Sequence, residues 1–248
     1  MTLALKQFSL RPAVKLTLPK EHGSWSLALE PVALGLLVAP SIAGGALAIA
    51  VIAGFFLRRP LKIIFREEDY ERWKLARAIV FILATIAIAG LLLAAKLGGA
   101  EKLWPLIPAA AAGIAFAFFD SRNEGREGAA EISGAIAFGI LPAAFTSLAG
   151  WNFIAAISLA AVMLARSVPT VLFARTFLRI KKGRAATITP AIVTAITAFL
   201  LVTSLAFFRT VPWLATIFAL VMTARTIFIL NFRPNFSAKT IGISEAIF

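Results

Sequence analysis

Long hydrophobic runs separated by short polar segments occupy almost the whole chain. Apolar runs of roughly 17 or more residues are typical of transmembrane helices. Eight such spans are predicted, at 23–39, 41–57, 76–95, 103–119, 132–149, 152–173, 187–208 and 211–230. The links after the first and fifth spans are only a few residues long, which favours antiparallel helix pairs. The predicted fold class is therefore all-α, a polytopic transmembrane helix bundle.

The polar segments at the two ends set the predicted domain organisation. We expect a cytoplasmic N-terminal arm over 1–22, a bundle of about eight helices over 23–230, and a cytoplasmic tail over 231–248. Lys6, Arg11 and Lys15 interrupt the arm, which lacks the continuous apolar core of a signal peptide. The arm is therefore interpreted as a cytoplasmic segment that can lie on the membrane surface.

Composition narrows the class of protein. A mean hydropathy of +0.90 with 15% charged residues excludes an ordinary soluble domain. The net charge of +13 would suggest nucleic acid in a soluble protein. In a membrane protein, basic loops hold helix ends in the cytoplasm and contact anionic lipid, so we expect the bilayer and no nucleic acid as partner. The absence of cysteine excludes disulfides and thiolate metal sites.

The distribution of Lys and Arg predicts the orientation. With the N-terminus inside, the inner segments hold 20 of the 25 basic residues. The outer loops hold only Lys96, Lys102 and Arg209. Because basic loops stay in the cytoplasm, both termini are predicted to be cytoplasmic, in a multi-pass protein of the inner (plasma) membrane.

Glu30, Arg166 and Arg225 lie inside predicted spans, where ionised side chains are costly. At the helical rise, all three are predicted roughly 9 to 12 Å from the cytoplasmic side. Pro31 and Pro169 follow Glu30 and Arg166 closely and predict kinked helices. One interpretation is a shared pocket in which the arginines bind an anion and Glu30 is a candidate catalytic residue. The other is a structural ion pair that fixes helix packing.

The segment between spans four and five is rich in oxygen ligands. The carboxylates Asp120, Glu124, Glu127 and Glu131 are spaced by four, three and four, so a helix would place them on one face. Together with Asn123, they are candidate ligands for Mg²⁺, with a diphosphate completing the shell. The alternative is a solvated loop of mixed charge, since Gly125 and Gly128 weaken a helix.

Basic residues flank these carboxylates along the predicted inner surface. A segment interpreted as an interfacial helix holds Arg58, Arg59 and Lys62, which are candidates for binding phosphate. Arg175 lies in RTFLRIKKGR, interpreted first as a topology signal and second as a phosphate contact. His22 is the one histidine, at the mouth of the first span. It is a candidate for moving protons or has no chemical role.

Three stretches carry a resemblance to a known family. They are PKEHGSW at 19–25, RSVPTVLFARTFLR at 166–179 and FRPNFSAKTIGISEAIF at 232–248. In these stretches the chain resembles the YwiC-like family of bacterial membrane proteins. The resemblance implies a membrane location and no particular reaction. It marks these positions for attention: His22, Gly23, Trp25, Arg166, Arg175, Arg179, Gly242 and Glu245.

A weaker resemblance concerns the acidic segment 120–131, which is similar to a motif of UbiA-type intramembrane prenyltransferases. That resemblance implies Mg²⁺ and an isoprenyl diphosphate on the cytoplasmic side. The chain departs from the pattern by having Glu at most acidic positions and a basic segment where a second acidic motif is expected.

Three functions therefore stay open: a lipid-linked prenyl or phosphoryl transferase with an anionic or isoprenoid-type substrate, a solute or ion carrier, and a membrane assembly factor. Neither the substrate nor the oligomeric state follows from the sequence.

Overall fold

The computed structural model describes Thr17 and residues 22–65, 69–122 and 127–232, which form helices joined by short turns. These residues contain nine α-helices and one 3₁₀ helix, Ala100–Leu103. In chain order, the α-helices are α1 His22–Val38, α2 Ile42–Ile64, α3 Tyr70–Gly98, α4 Leu106–Ser121, α5 Gly128–Gly139, α6 Leu141–Leu148, α7 Phe153–Lys181, α8 Thr189–Phe207 and α9 Trp213–Phe232.

The helices match the eight predicted spans. Seven segments of the described chain are long and apolar enough to cross a membrane: α2, α3, the 3₁₀ helix with α4, α5 with α6, α7, α8 and α9. The eighth is the shorter apolar part of α1, Trp25–Val38. The all-α polytopic bundle is confirmed. The orientation of the termini stays a prediction, and most of the arm and tail lies outside the described residues.

Several helices extend farther than the hydropathy pattern predicts. α2 runs to Ile64, α3 begins at Tyr70 and α7 runs to Lys181. The prediction of a separate interfacial helix after the second span was wrong, because the described residues of this segment complete α2, which ends at Ile64, and begin α3 at Tyr70. Hydropathy identifies only the part of a helix that lies in lipid. Lys, Arg and Glu are good helix formers, so the helix continues into the polar segments that flank the apolar run. Asp69 starts α3 by accepting bonds from the Glu71 and Arg72 amides.

The fifth span is broken into α5 and α6, which meet at Ile140, with Pro142 in the first turn of α6. All eight residues of α6 are buried, so this short helix lies at the centre of the bundle. Its Phe145 packs against α1 so closely that a Cβ at Gly35 would stand 2.5 Å from the ring. A glycine at position 35 is therefore required for α1 to approach α6.

Small residues line the helix contacts. A Cβ at Gly90 of α3 would stand 2.8 Å from the carbonyl oxygen of Ala46 on α2. Such close backbone approach is typical of membrane helices, which associate by packing because lipid is as apolar as their side chains. A second core unites Phe173 and Phe177 of α7 with α8 and α9. Since α7 also contacts α5 and α6, it connects both halves of the bundle.

Candidate functional site

Glu30 of α1 and Arg166 of α7 form a direct ion pair. Arg166 Nη1 contacts Glu30 Oε2, and Nη2 donates to Glu30 Oε1 at 3.1 Å. Ser26, one turn earlier on α1, donates its hydroxyl to the same Oε1. The carboxylate is thus held by two contacts to a guanidinium and one hydroxyl donor, and such charge-assisted bonds compensate an ionised group for the loss of bulk water.

The pair lies near the middle of both helices. Glu30 is eight residues from His22 and eight from Val38. Arg166 is 13 residues from Phe153 and 15 from Lys181. At the helical rise, Glu30 lies about 12 Å from either end of α1. The two side chains keep 26% and 25% of their surface exposed, so they border the outside of the protein or a space within it.

Arg225 of α9 lies beside α7, at a position closer to the C-terminal end of α7 than Arg166 is. Its guanidinium carbon is 5.2 Å from the centre of the Phe173 ring, and its Nη1 is 4.0 Å from the sulfur of Met222. Phe173 follows Arg166 by two helical turns, so both project from the same face of α7. That spacing is about 10 Å along the axis. The structure therefore joins Glu30 and Arg166, and a pocket shared by all three charges stays a prediction.

Asp120, near the end of α4, contacts the end of α2. Its Oδ1 is 3.1 Å from Arg58 Nη2 and 3.1 Å from Lys62 Nζ. The Arg58 guanidinium also lies over the Phe116 ring, at 4.6 Å from its centre. Two residues predicted to bind phosphate thus bind a carboxylate from the neighbouring acidic segment.

Arg175 of α7 pairs with the two other described carboxylates of the acidic segment 120–131. Its Nη1 is 3.1 Å from Glu131 Oε2, and its Nη2 is 3.5 Å from Glu127 Oε2. The Arg175 guanidinium packs over Gly128, where a Cβ would lie in ordinary contact with Nε at 3.5 Å. This contact joins the beginning of α5 to the last turns of α7.

The interpretation that places these carboxylates on one helical face was wrong for the three that the structure describes. Asp120 belongs to α4, whereas Glu127 precedes α5 and Glu131 lies in its first turn. The two helices are separate, so the four-three-four spacing does not set the geometry. Gly125 and Gly128 disfavour one continuous helix here.

The Mg²⁺ hypothesis stays a prediction. Within the described ranges no group of three or more His, Cys, Asp or Glu side chains is placed to hold a metal. Asn123 and Glu124 lie outside the described residues. An ion bound by Asp120, Glu127 or Glu131 would compete with Arg58, Lys62 or Arg175 for their oxygens. The His22 side chain, Gly242 and Glu245 also lie outside the described part, so their roles stay predictions.

Sequence reasoning missed Ser26 and Phe173. Ser26 precedes Glu30 by four residues, and Phe173 follows Arg166 by seven. Both spacings bring side chains to one helical face, so periodicity around each charge was the signal that could have found them.

A family model described as YwiC-like protein matches residues 18–146, which is 129 of the 248 residues. The chain belongs to the YwiC-like family. The predicted resemblance is confirmed over α1 to α5 and most of α6, a region that includes Glu30 and Asp120 but ends before Arg166. No curated protein and no solved structure matches the chain, and nothing supports the weaker resemblance to UbiA-type enzymes. This YwiC-like protein is an integral, multi-span membrane protein.

Proposed function

We propose that this YwiC-like protein binds the anionic head group of a lipid-linked substrate at the Glu30–Arg166 pair, in a polar space open to the cytoplasm. One observation carries the proposal: an ion pair midway along two membrane helices keeps a quarter of each side chain exposed. Lipid chains cannot hydrogen bond, so ionised groups in a bundle normally face a cavity, water or a ligand.

The pair also defines how an anion would bind. A guanidinium recognises phosphate or carboxylate through the same fork of N–H donors that it offers to Glu30. An anionic ligand and Glu30 therefore compete for Arg166. Replacing Glu30 by a neutral side chain therefore releases Arg166 for the ligand.

Arg225 and Arg175 extend this basic side of α7 toward its C-terminal end. Arg225 lies beside Phe173, and Arg175 contacts Glu131 in the first turn of α5. A head group entering from that end would meet guanidinium groups before it reached Arg166. The lipid tail would pack on apolar helix faces, several of which carry exposed large side chains. We include Arg58 and His22 among the residues at the mouth of this site.

The experiment compares three single variants of the purified full chain in detergent. Melting temperature is recorded with inorganic diphosphate, with farnesyl diphosphate, and without ligand. We expect both ligands to raise it in the wild type, Glu30→Gln to bind about tenfold more tightly, and Arg166→Gln to lose the effect. Lys96→Gln, at the other end of the bundle, is the matched control. Equal responses of Glu30→Gln and Arg166→Gln would overturn the proposal.

In its enzyme form, the proposal is a prenyl or phosphoryl transferase. That reaction would use Mg²⁺ held by the oxygen ligands of 120–131. Turnover of farnesyl diphosphate should then stop with a chelator and in Glu124→Gln. Turnover without metal would contradict the predicted Mg²⁺ site. The Arg166 site is tested separately, by the melting-temperature measurements with ligand.

A carrier is the second candidate, favoured by the position of the pair at the middle of α1 and α7. Carriers hold their substrates near the bilayer midplane, beside interrupted helices such as the α5–α6 break. Proteoliposomes should then take up phosphate faster under an inward proton gradient, and Glu30→Gln should remove the gradient dependence. An assembly factor would instead lose a protein partner and show neither ligand response.

A further inference from the structure

The turn between α8 and α9 borders a cavity that is widely open to its surroundings, at the end of the bundle opposite Arg175. Its volume is about 430 Å³. Its lining is formed by Ala206, Arg209, Thr210, Val211, Pro212 and Trp213. This end of the bundle is the one predicted to face outward, and no function proposed above uses it.

Arg209 has an unusual backbone. Its φ is 57°, the one positive value at a non-glycine residue in the described part of the chain. The turn closes α8 with two bonds, from the Arg209 amide to the Ala206 carbonyl and from the Thr210 amide to the Leu205 carbonyl, both 3.0 Å. This pair of bonds defines a helix ending whose left-handed position is usually glycine. An arginine there is strained, which is a reason to look for a function of its side chain.

The side chain of Arg209 supplies positive charge to the cavity. Across the described ranges, no carboxylate lies within ion-pair distance of it. α9 begins at Trp213, so the positive end of its helix dipole points at the same turn. Both features favour an anion in the cavity.

The residues around the turn indicate where that anion comes from. Phe207, Phe208 and Trp213 are 73%, 70% and 57% exposed. Exposed aromatic side chains at the end of a membrane span belong to the boundary between hydrocarbon and head groups. A lipid phosphate at that depth would reach Arg209 while its acyl chains contact the two phenylalanines.

We propose that this cavity binds the phosphate of an anionic phospholipid through the Arg209 guanidinium. The ligand is a bilayer lipid rather than a soluble phosphate, because the cavity opens among side chains that belong in the membrane. The site is separate from the Glu30–Arg166 pair, and either can fail without the other.

The test is native mass spectrometry of the full chain in detergent, titrated with phosphatidylglycerol and, separately, with phosphatidylcholine. We expect one phosphatidylglycerol to bind roughly tenfold more weakly in Arg209→Asn than in the wild type. Arg209→Lys should be intermediate, and the wild type should prefer phosphatidylglycerol. Asn tolerates the left-handed backbone, so Arg209→Asn should keep or raise the melting temperature. Lys96→Asn is the control expected to bind like the wild type.

Two outcomes would overturn the proposal. In the first, Arg209→Asn retains phosphatidylglycerol as well as the wild type does. In the second, millimolar inorganic phosphate displaces the lipid, which would assign the cavity to a soluble anion. The melting temperature distinguishes misfolding from loss of the binding side chain. If Arg209→Asn binds weakly but melts at the wild-type temperature, the weaker binding is due to the missing guanidinium.

Discussion

Arg166 contacts the Glu30 carboxylate through both terminal nitrogens of its guanidinium, although the two residues lie 136 positions apart in the sequence. The contact connects α1, the first span, to α7, the helix that touches both halves of the bundle. A charge-assisted contact of this kind specifies one arrangement of the two helices, because any sliding of α1 along α7 would separate it.

Loss of one partner of this pair should destabilise the protein more than loss of both. Arg166→Gln leaves the Glu30 carboxylate without its ionic partner and should lower the free energy of unfolding by about 1–3 kcal/mol. This is less than the loss expected for a fully buried pair, because both side chains are partly exposed. Glu30→Gln combined with Arg166→Gln should recover most of that loss. Thermal unfolding of the purified variants measures both. If the double variant also retains full ligand binding, the pair is structural and the proposed site is wrong.

Crowding at Gly35 should make it intolerant of any side chain. Gly35→Ala places a Cβ against the Phe145 ring and should cost about 1–3 kcal/mol from overpacking. Gly54→Ala is the matched control, because a Cβ there meets nothing within 4 Å. It should be neutral or stabilising by helix propensity. Adding Phe145→Leu to Gly35→Ala should restore part of the melting temperature; no recovery would contradict the packing argument.

The contact between α5 and α7 should depend on Arg175. Arg175→Gln removes the partner of Glu127 and Glu131, which are partly exposed, so the stability loss should be modest, about 0.5–1 kcal/mol. Arg179→Gln, one turn later on α7 and exposed, is the control and should change stability by less than about 0.5 kcal/mol. Hydrogen exchange should quicken at the start of α5 in Arg175→Gln only. Equal effects of both variants would show that Arg175 acts through net charge.

The predicted orientation can be tested directly, because the chain has no cysteine of its own. Lys96→Cys, at the end of α3, should react with a membrane-impermeant thiol reagent in intact cells. Arg179→Cys, near the end of α7, should react only after the membrane is permeabilised. The reverse pattern would invert the topology and move the proposed entrance of the Arg166 site to the other face.

Hydrophobic runs in the sequence are enough to predict most of the fold. Each of the eight predicted spans corresponds to a helix or, in the fifth, to α5 and α6 together. This works because lipid demands long apolar helices whatever their neighbours are. Helix ends were less predictable, because α2 and α7 extend past their apolar runs to include polar residues such as Arg58 and Arg175. Local pattern alone does not say where a polar helix stops.

The sequence by itself determined that Glu30, Arg166 and Arg225 are charges within membrane helices, and that Asp120, Glu127 and Glu131 form an acidic segment. Only the tertiary structure decided their partners: Glu30 with Arg166, Asp120 with Arg58 and Lys62, and Arg175 with Glu127 and Glu131. The reason is physical. Hydropathy depends on each residue's own transfer from water to lipid, whereas ion pairing depends on which helices become neighbours, and small-residue packing at sites such as Gly35 and Gly90 decides that.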